Sequence, residues 1–446
     1  MTKPLGEQAQ TLLAALERRF DACDSRAEEL QRRLRLVLVD TMAVAVAGLA
    51  QPSLRDLQQL EHRLAAGGVV RLPGMEASLT AEAAARVLAT AACWDELVEG
   101  YAPAHGRPAL HVVPVSVALG EALDRSLGEV LRSLLLGYEL GARFGEAYRV
   151  PAAEHVDGTW GTVAATVAAA SLLHLSARQR IGALSAALTQ MSRSLYRSVG
   201  EGAMSRLLHP GLAASRGINL ALAAAAGFAG PEGLEQDPVL LALWRRPPDL
   251  ALRPGNAVEG GYVKLLPGAR HLHYAAAAAL RWRERQPVVL RRGVAAFREE
   301  PDSIRLRTYP EACAYCDQPR PHNRIQAQFS LQFAVAASLL WGELRPASFQ
   351  EERLSEPQLR NLLERISLEA VDDHPGRWAE VVVRQRDGSE DSALVLGLPG
   401  DPTLPIGERE RLSKARSLME PVLGGAKAAA LISHWLEAGL EAALLP

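Results

Sequence analysis

Ionisable side chains are concentrated in five polar segments of the chain, and each segment leads into an apolar, helix-like stretch. The residues in them that could do chemistry include Arg107, His155, Arg206, Lys264 and Tyr315. At a helix entrance the backbone N–H groups and the helix dipole favour anions. A histidine can accept a proton near neutral pH, and a lysine or tyrosine can return one. The pattern therefore indicates proton transfer on a bound anion, although capping and surface solvation would explain any one segment taken alone.

The arginines and a nearby histidine indicate which kind of anion is bound. Arg107 cannot shuttle a proton, because a guanidinium group stays charged and has no lone pair. Its planar fork can bind a carboxylate through two parallel hydrogen bonds, and the same holds for Arg206. His209 follows in a His-Pro-Gly sequence, which is equally typical of a helix-capping turn. We predict that Arg107, Arg206 and His209 bind substrate carboxylates, with a surface salt bridge as the alternative for Arg107.

Two short motifs of other chemistries lack their usual context. Cys313 and Cys316 form a Cys-x-x-Cys motif, but the chain has no second cysteine pair of this kind and only His322 follows nearby. A structural zinc site needs four ligands, and a redox dithiol needs a helix start after a strand. The sequence GTWGT at 158–162 has no phosphate-loop lysine and follows no predicted strand. We therefore expect neither a metal nor an organic cofactor.

Composition and charge exclude several classes of protein. Apolar residues make up 48% of the 446 residues and charged residues 22%, the balance of a folded globular protein. A formal net charge of −2 gives no overall attraction to nucleic acid or to an anionic membrane. The first residues do not form a signal peptide, and the apolar stretches fall short of the roughly 20 residues that a membrane span needs. With four cysteines and no disulfide framework, we predict a cytoplasmic enzyme.

The elements that must position these residues are mainly helices. Apolar stretches rich in Ala and Gly follow one another at short intervals up to residue 261, the pattern of closely packed, mutually buried helices. Beyond it, β-branched runs occur at 366–371, 379–384 and 392–396, and Asp387-Gly388 is a hairpin signal between the last two. The C-terminal stretch is again an amphipathic helix. The sequence predicts a mainly α fold, in which a large all-helical domain (1–261, completed by 397–446) carries an inserted, smaller α+β lid domain (262–396).

The order and the local sequences of these segments resemble those of one known family. The blocks that carry the resemblance are LVDTMAVAVAG, GRPALHVVPVSVALGE, HVDGTWGTVAATVAAASLL, RLLHPGLAASRG, VKLLPG and RIQAQFSLQFAVAASLLWGEL. Together they are similar to the MmgE/PrpD family, which includes 2-methylcitrate dehydratase, cis-aconitate decarboxylase and iminodisuccinate epimerase. The resemblance covers nearly the whole chain. It implies a helical domain with an α+β lid, a homodimer, and an activity that needs no metal or organic cofactor.

The resemblance also assigns roles to residues. His155, Lys264 and Tyr315 stand at an active-site histidine, lysine and tyrosine of the family, and Glu96 stands where the decarboxylase has an aspartate; these four are the predicted catalytic residues. His105 or His111 could replace a missing imidazole. The chain departs from the family pattern at four positions, with Gly100 for a threonine, Arg107 for a histidine, Arg206 for a lysine and Ala269 for a polar or histidine position.

Residues and resemblance together predict a cofactor-independent lyase or isomerase that removes a proton next to a carboxylate of a small di- or tricarboxylate. The charge that develops on carbon needs fixed cations and hydrogen-bond donors. The altered positions fit a modified activity of the 2-methylcitrate dehydratase kind, or epimerisation or isomerisation of a dicarboxylate. The retained His155, Lys264 and Tyr315 favour catalysis. The replaced histidine and lysine favour the alternative, a catalytically silent paralogue that binds a carboxylate metabolite or a partner protein.

Overall fold

Helices make up most of the computed structural model, which describes residues 3–64, 67–151, 153–286 and 301–446. This confirms the mainly α fold that the sequence predicts. In chain order the α-helices are α1 Leu5–Phe20, α2 Ser25–Leu49, α3 Pro52–Leu64, α4 Ala81–Cys93, α5 Pro108–Ala122, α6 Leu127–Ala147, α7 Gly161–Leu172, α8 Ala177–Thr189, α9 Arg197–Gly200, α10 Leu208–Ala225, α11 Pro238–Ala242, α12 Arg270–Arg285, α13 Pro310–Cys316, α14 Arg324–Ala327, α15 Leu331–Trp341, α16 Glu351–Leu354, α17 Pro357–Leu363, α18 Glu408–Leu423 and α19 Gly425–Glu437.

Side-chain caps fix where several of these helices begin. Asp24 accepts a hydrogen bond from the backbone N–H of Ala27 at the start of α2. At the start of α6, Ser126 and Glu129 form a capping box, in which each side chain accepts from the other residue's backbone N–H. Each cap satisfies N–H groups that the first helical turn leaves without a partner. Local sequence therefore decides these boundaries before any tertiary packing.

The first hydrophobic core is built from α1, α2 and α4–α8 together with α10, α18 and α19. Glycines allow its helices to approach closely. A Cβ added to Gly217 on α10 would lie 2.4 Å from the Cβ of Ala165 and 2.7 Å from its carbonyl carbon on α7. Such a separation leaves no room for a side chain. In the described part of the chain no single helix is long and apolar enough to cross a membrane; α2 and α3, bent by 90°, pass that test only as a pair.

The second core surrounds a four-stranded sheet, whose strands are β3 Ser303–Thr308, β4 Ile366–Ala370, β5 Ala379–Arg384 and β6 Glu390–Val395, in the order β4-β3-β5-β6. β3 runs parallel to β4 and antiparallel to β5, and β5 and β6 form the predicted hairpin. A short ladder of β1 Glu154–His155 and β2 Ser194–Leu195 lies apart from this sheet. Helices α12 and α15 pack in the same second core.

Three details of the sequence prediction were wrong. The central strand β3 was not predicted, although its alternation of buried Ile304 and Leu306 with outward arginines is the pattern of a half-buried strand. β6 begins at Glu390 instead of 392, because the two acidic residues at its start pair with the end of β5 across the hairpin. The last helix ends at Glu437, and the chain then turns back so that the Trp435 indole N–H donates to Leu444 O at 3.0 Å.

Backbone and side-chain hydrogen bonds join the two cores. The Gln328 side chain donates to Trp94 O at 2.8 Å, and Val263 N donates to Gly400 O at 2.8 Å. An ion pair between Arg324 and Asp95 lies beside them. The chain contributes to the first core before residue 261 and again in its C-terminal helices, while the second core draws mostly on residues 269–398. The domain boundaries at 261/262 and 396/397 stay a prediction.

The contact between α7 and α10 can be tested by adding a side chain. We expect Gly217→Val to destabilise the protein by about 1–3 kcal/mol, because the helix backbones must move apart. The matched control is Gly425→Val, since a Cβ at Gly425 meets nothing within 4 Å. Thermal unfolding followed by circular dichroism should show a clearly lower midpoint for the first variant alone. Equal midpoints for the two variants would contradict the close packing described here.

Candidate active site

A cavity of about 410 Å³ lies where residues of the two cores meet. The described residues that line it include Glu96, Arg107 and His155, which come from loops of the first core. They also include Lys264, which lies in the chain between Val258 of the first core and Ala269 of the second, and Tyr315 on α13. Five of the seven predicted site residues thus face one cavity although they are far apart in sequence.

Four buried charges form the wall behind part of this cavity, and we call Glu96, Arg107, Asp157 and Arg206 the charge cluster. Arg107 lies 2.8 Å from Glu96 Oε2, and Arg206 lies 3.1 Å from Asp157 Oδ2. The other two ion pairs, Arg107 with Asp157 and Arg206 with Glu96, close the set. No side chain of the four is more than 6% exposed. Two cations and two anions balance, so the cluster is neutral as a whole.

Local backbone geometry orients the carboxylates of Glu96 and Asp157 towards the two arginines. Glu96 follows the end of α4 with φ +53°, a left-handed conformation that costs a non-glycine residue roughly 1–2 kcal/mol. Asp157 follows β1, and its carbonyl oxygen accepts a hydrogen bond from the Ser194 hydroxyl on β2 at 2.6 Å. The β1–β2 ladder pairs His155 with Ser194. This short ladder therefore fixes both the histidine and the aspartate of the site.

The arginines keep both carboxylates ionised. Burial alone would raise the pKa of each carboxyl group, but the charges of Arg107 and Arg206 outweigh burial. The pKa of Asp157 is held well below its usual range, and that of Glu96 is lowered. Opposite charges at hydrogen-bonding distance in a low-dielectric interior have this effect. The cluster therefore stays charged and paired at any pH at which the protein would work.

The pairing changes what can be expected of the two arginines. Arg206 is fully buried and is not among the described residues that line the cavity. Its guanidinium group binds the protein's own carboxylates and lies 5.3 Å from the centre of the Phe329 ring. Arg107 lines the cavity with its charge already matched. Direct substrate binding by either arginine stays a prediction, and the geometry favours a different role, holding Glu96 and Asp157 in place.

Cys93 completes a group of three side chains that has the composition of a metal site. Ligand atoms of Cys93, Glu96 and Asp157 lie within 4.8 Å of one another, all buried. Arg206 Nη1 lies 2.6 Å from the sulfur, and both guanidinium groups already bond to the carboxylates. A metal ion would have to displace them. Burial also raises the pKa of the Cys93 thiol to about 11, so the thiolate that a metal prefers is disfavoured.

Lys264 is the ionisable group best matched to proton transfer near neutral pH. Its side chain is 2% exposed, and Nζ donates to Gly268 O at 2.7 Å. Nζ lies 3.9 Å from Glu96 Oε2. Burial lowers the pKa of Lys264 to about 7, in spite of the opposing effect of Glu96. A general base or acid works best when its pKa is close to the working pH.

His155 and Tyr315 lie on the same cavity with an unpredicted tyrosine between them. The rings of His155 and Tyr196 stack with centroids 6.1 Å apart, and Tyr196 and Tyr315 lie 5.6 Å apart. Burial lowers the pKa of His155 to about 4, so its imidazole is neutral at pH 7. Burial raises the pKa of the Tyr315 phenol, which therefore stays protonated. One group can accept a proton and the other can donate one.

Three other histidines of the prediction have different positions. His209, in the first turn of α10, is not among the described cavity-lining residues, so the cavity gives no support to its predicted role. His111 is buried and bonds through Nδ1 to Arg107 O and through Nε2 to Gly158 N, both at 3.1 Å. Both ring nitrogens of His111 therefore already have hydrogen-bond partners. His105 lines the cavity at its exposed side, where Arg245 Nη1 lies 2.9 Å from Nε2.

The Tyr262 ring occupies the space that a side chain at position 100 would need. A Cβ on Gly100 would lie 2.4 Å from the Tyr262 hydroxyl oxygen and 2.5 Å from Cζ. The two residues also exchange backbone hydrogen bonds, Gly100 N to Tyr262 O at 3.1 Å and Tyr262 N to Gly100 O at 2.8 Å. A threonine cannot occupy position 100 while the Tyr262 ring lies there. The aromatic ring fills the space of the expected side chain.

Several residues of the site were not predicted. Asp157 had a visible signal, because it stands two residues after His155 in the same polar segment. Tyr196, Tyr262 and Phe329 line the cavity without a polar motif that would single them out. Arg377 comes from the segment between β4 and β5, where nothing in the local sequence marks it.

Comparison with known families agrees with this architecture. The model of the MmgE/PrpD N-terminal domain matches residues 21–239, and that of the MmgE/PrpD C-terminal domain matches residues 267–437. The chain belongs to the MmgE/PrpD family. It is similar to cis-aconitate decarboxylase of Mus musculus, with 26% identity over 333 residues, 70% of this chain and 67% of that protein. The Homo sapiens cis-aconitate decarboxylase is 28% identical over 307 residues, 63% of this chain and 62% of that protein.

Removal of one anion tests the charge cluster in this MmgE/PrpD chain. Asp157→Asn leaves two buried guanidinium groups with one carboxylate, and we expect a loss of about 3–5 kcal/mol of stability. Asp21→Asn is the control, because its pair with Arg132 is about half exposed at the aspartate, and exposed pairs contribute about 1 kcal/mol or less. Denaturant unfolding of both variants measures the difference. Similar losses for the two would contradict a tightly coupled cluster.

The stability of Asp157→Asn should also depend on pH differently from that of the wild type. Because the folded-state pKa of Asp157 lies far below its ordinary value of 3.8, its contribution to stability is present above that value and is lost as the pH falls below it. The wild-type protein should therefore lose more stability between pH 5 and pH 3 than Asp157→Asn does. Unfolding midpoints across this range measure the difference.

Proposed function

We propose that this chain is a lyase or isomerase that removes a proton from a carbon next to a carboxylate of a small di- or tricarboxylate. The observation that carries the proposal is the buried amine of Lys264, with a pKa near 7, on a cavity that His155 and Tyr315 also line. The similarity to cis-aconitate decarboxylases, which are lyases, supports a lyase-type reaction. A homodimer and independence of cofactors stay predictions from the family.

The charges around the cavity support an anionic substrate. The charge cluster is neutral, and Arg270 is paired with Asp401. Glu154, which also lines the cavity, is paired with Arg193. Positive charge remains on Arg377 and on the exposed arginines 149 and 245, and Lys264 adds to it when protonated; Glu311 opposes it. A surplus of cations in a partly desolvated cavity attracts and orients carboxylates. The same cations stabilise the negative charge that develops when carbon loses a proton.

The chemical step can be written with these groups. The C–H bond next to a substrate carboxylate breaks, its proton goes to the neutral Nζ of Lys264, and the electron pair spreads onto that carboxylate. In a lyase reaction this pair then forms a double bond to the neighbouring carbon, a group on that carbon departs with the electrons of its own bond, and the phenol O–H of Tyr315 can protonate a departing oxygen. If a proton returns instead to the opposite face of the same carbon, or to another carbon, the reaction is an isomerisation. The neutral imidazole of His155 is a second group that can carry the proton.

One observation favours the second candidate, a silent carboxylate-binding paralogue. Arg107 and Arg206, which stand where the family has a histidine and a lysine, are bonded to the protein's own Glu96 and Asp157. Arginines that are bonded to the protein's own carboxylates stabilise the fold, and that role needs no catalytic activity. The two candidates differ in whether a carbon-bound proton of a bound acid exchanges with water.

Hydrogen–deuterium exchange into citrate, 2-methylcitrate and aconitate tests both candidates. We expect the wild-type protein to incorporate deuterium into at least one of these acids, and His155→Ala and Lys264→Ala to slow incorporation, the latter by about a hundredfold or more. Lys427→Ala, at an exposed lysine of α19, is the control and should match the wild type. Binding of the acids without any exchange would support the silent paralogue instead.

The pKa of Lys264 predicts a pH dependence. The base is active when unprotonated, so kcat/KM for a reactive acid should rise with pH through about 7 and then level off. Lys264→Arg keeps the positive charge but cannot accept a proton, and we expect it to be as slow as Lys264→Ala. An activity in Lys264→Arg close to that of the wild type would assign the lysine an electrostatic role only. Rates measured from pH 5.5 to 9 distinguish a role of Lys264 as a base from a purely electrostatic role.

A further inference from the structure

Arg377 is a half-buried cation of the cavity that has no hydrogen-bond or ion-pair partner among the described residues. Its Nε is buried and makes no hydrogen bond, and no carboxylate lies within ion-pair distance in the described part of the chain. Arg107 and Arg270, by contrast, are matched by Glu96 and by Asp401. Arg377 is therefore a cavity-lining guanidinium group whose charge is available to a ligand.

The sheet holds Arg377 in place without using its charge. The next residue, Trp378, is fully buried, and its carbonyl oxygen accepts a hydrogen bond from the Thr308 hydroxyl of β3 at 2.6 Å. The His374 ring packs edge-on against Trp378 at 4.7 Å. Arg377 lies in the bend just before β5, between Gly376 and the anchored Trp378, and its side chain lines the cavity.

The groups around Arg377 leave its charge largely uncompensated. Burial, followed by the charge of Arg377, lowers the pKa of His271 to about 3, so that imidazole is neutral. Burial holds the pKa of Tyr309 well above its usual value, and its hydroxyl lies 2.7 Å from His271 Nδ1. The acidic neighbour Glu311 is 41% exposed and lies 3.8 Å from His105 Nδ1. Solvent and His105 therefore weaken its effect on Arg377.

We infer that Arg377 binds a second carboxylate of the substrate, the one that is not attached to the reacting carbon. The inference rests on the proposed function and deepens it by naming the residue that selects di- and tricarboxylates over monocarboxylates. Lys264 approaches the cavity from the junction of the two cores, whereas Arg377 approaches it from the segment just before β5. A substrate that places its reacting C–H bond at Lys264 and also reaches Arg377 can be held there by a second carboxylate. Arginine is suited to this role because its fork binds a carboxylate through two hydrogen bonds.

The test compares acids that differ by one carboxylate. Succinate and butyrate both have four carbons, and citrate represents a tricarboxylate. Equilibrium binding to the full chain would be measured by calorimetry or ligand-observed NMR for the wild type, Arg377→Ala, Arg377→Lys and Arg384→Ala. Arg384 is the control, because it is an exposed arginine at the end of the neighbouring strand β5.

We expect the wild type to bind succinate and citrate more tightly than butyrate. Arg377→Ala should weaken binding of both polycarboxylates by about 10- to 100-fold, as expected for loss of a charged hydrogen-bonding partner, and leave butyrate within about twofold of the wild type. Arg377→Lys should recover part of the loss, because it restores the charge without the fork. Arg384→Ala should match the wild type. Equal melting temperatures would show that the variants are folded, as expected where the native arginine has no partner to lose among the residues that the structure describes.

The outcomes separate this inference from the proposed function. Equal losses for succinate and butyrate in Arg377→Ala, or no loss for either, overturn the role of Arg377 even if the wild type exchanges deuterium into its substrate. An unchanged selectivity in Arg377→Ala at an unchanged melting temperature overturns it as well. A specific loss of polycarboxylate binding supports it, and deuterium exchange in the wild type then decides separately whether the bound acid reacts.

Discussion

The site depends on the pairing of two buried arginines with two buried carboxylates. Arg107, Arg206, Glu96 and Asp157 come from four different loops, and each charge contacts both charges of opposite sign. Buried ions lose their hydration, and only close pairing compensates that loss. The arrangement therefore ties the loops together, since displacement of any one side chain leaves an unmatched charge in the interior. This constraint holds His155 and the segment before α5 in register with each other.

The neutrality of the cluster explains the behaviour of Lys264. Glu96 at 3.9 Å favours the ammonium form, whereas the nearby Arg107 disfavours it. Because these opposing charges largely cancel, burial decides, and the pKa of Lys264 falls to about 7. A lysine beside an unpaired carboxylate would remain an ammonium ion, and one beside an unpaired arginine would be a neutral amine at any ordinary pH. An arginine at position 107 is thus compatible with proton transfer, provided that Asp157 is present to balance it.

Sequence patterns predict the elements of this fold better than the contacts of its site. Runs of Ala and Gly located the helices of the first core, because closely packed helices need small residues. The strand β3 was missed because its outward arginines interrupt the apolar runs that identified its neighbours. The convergence of His155 and Lys264 on one cavity came from family resemblance, since no spacing rule links residues so far apart. Whether an arginine is paired, as Arg107 is, or has no partner among the described residues, as with Arg377, depends on groups that only the folded chain brings together.

The glycine at position 100 is physically linked to one of the cations that line the cavity. Gly100 removes a side chain at the place where the Tyr262 hydroxyl lies, 2.4 Å from the position of a Cβ. The Tyr262 ring in turn lies 3.5 Å from the guanidinium carbon of Arg270, a stacking contact that stabilises a partly buried cation. Arg270 lines the same cavity and is held by Asp401. A threonine at position 100 would push the ring away and release the arginine, so the small residue at this site supports a cationic wall in place of a hydroxyl group. The glycine, the aromatic ring and the cation therefore depend on one another for their positions.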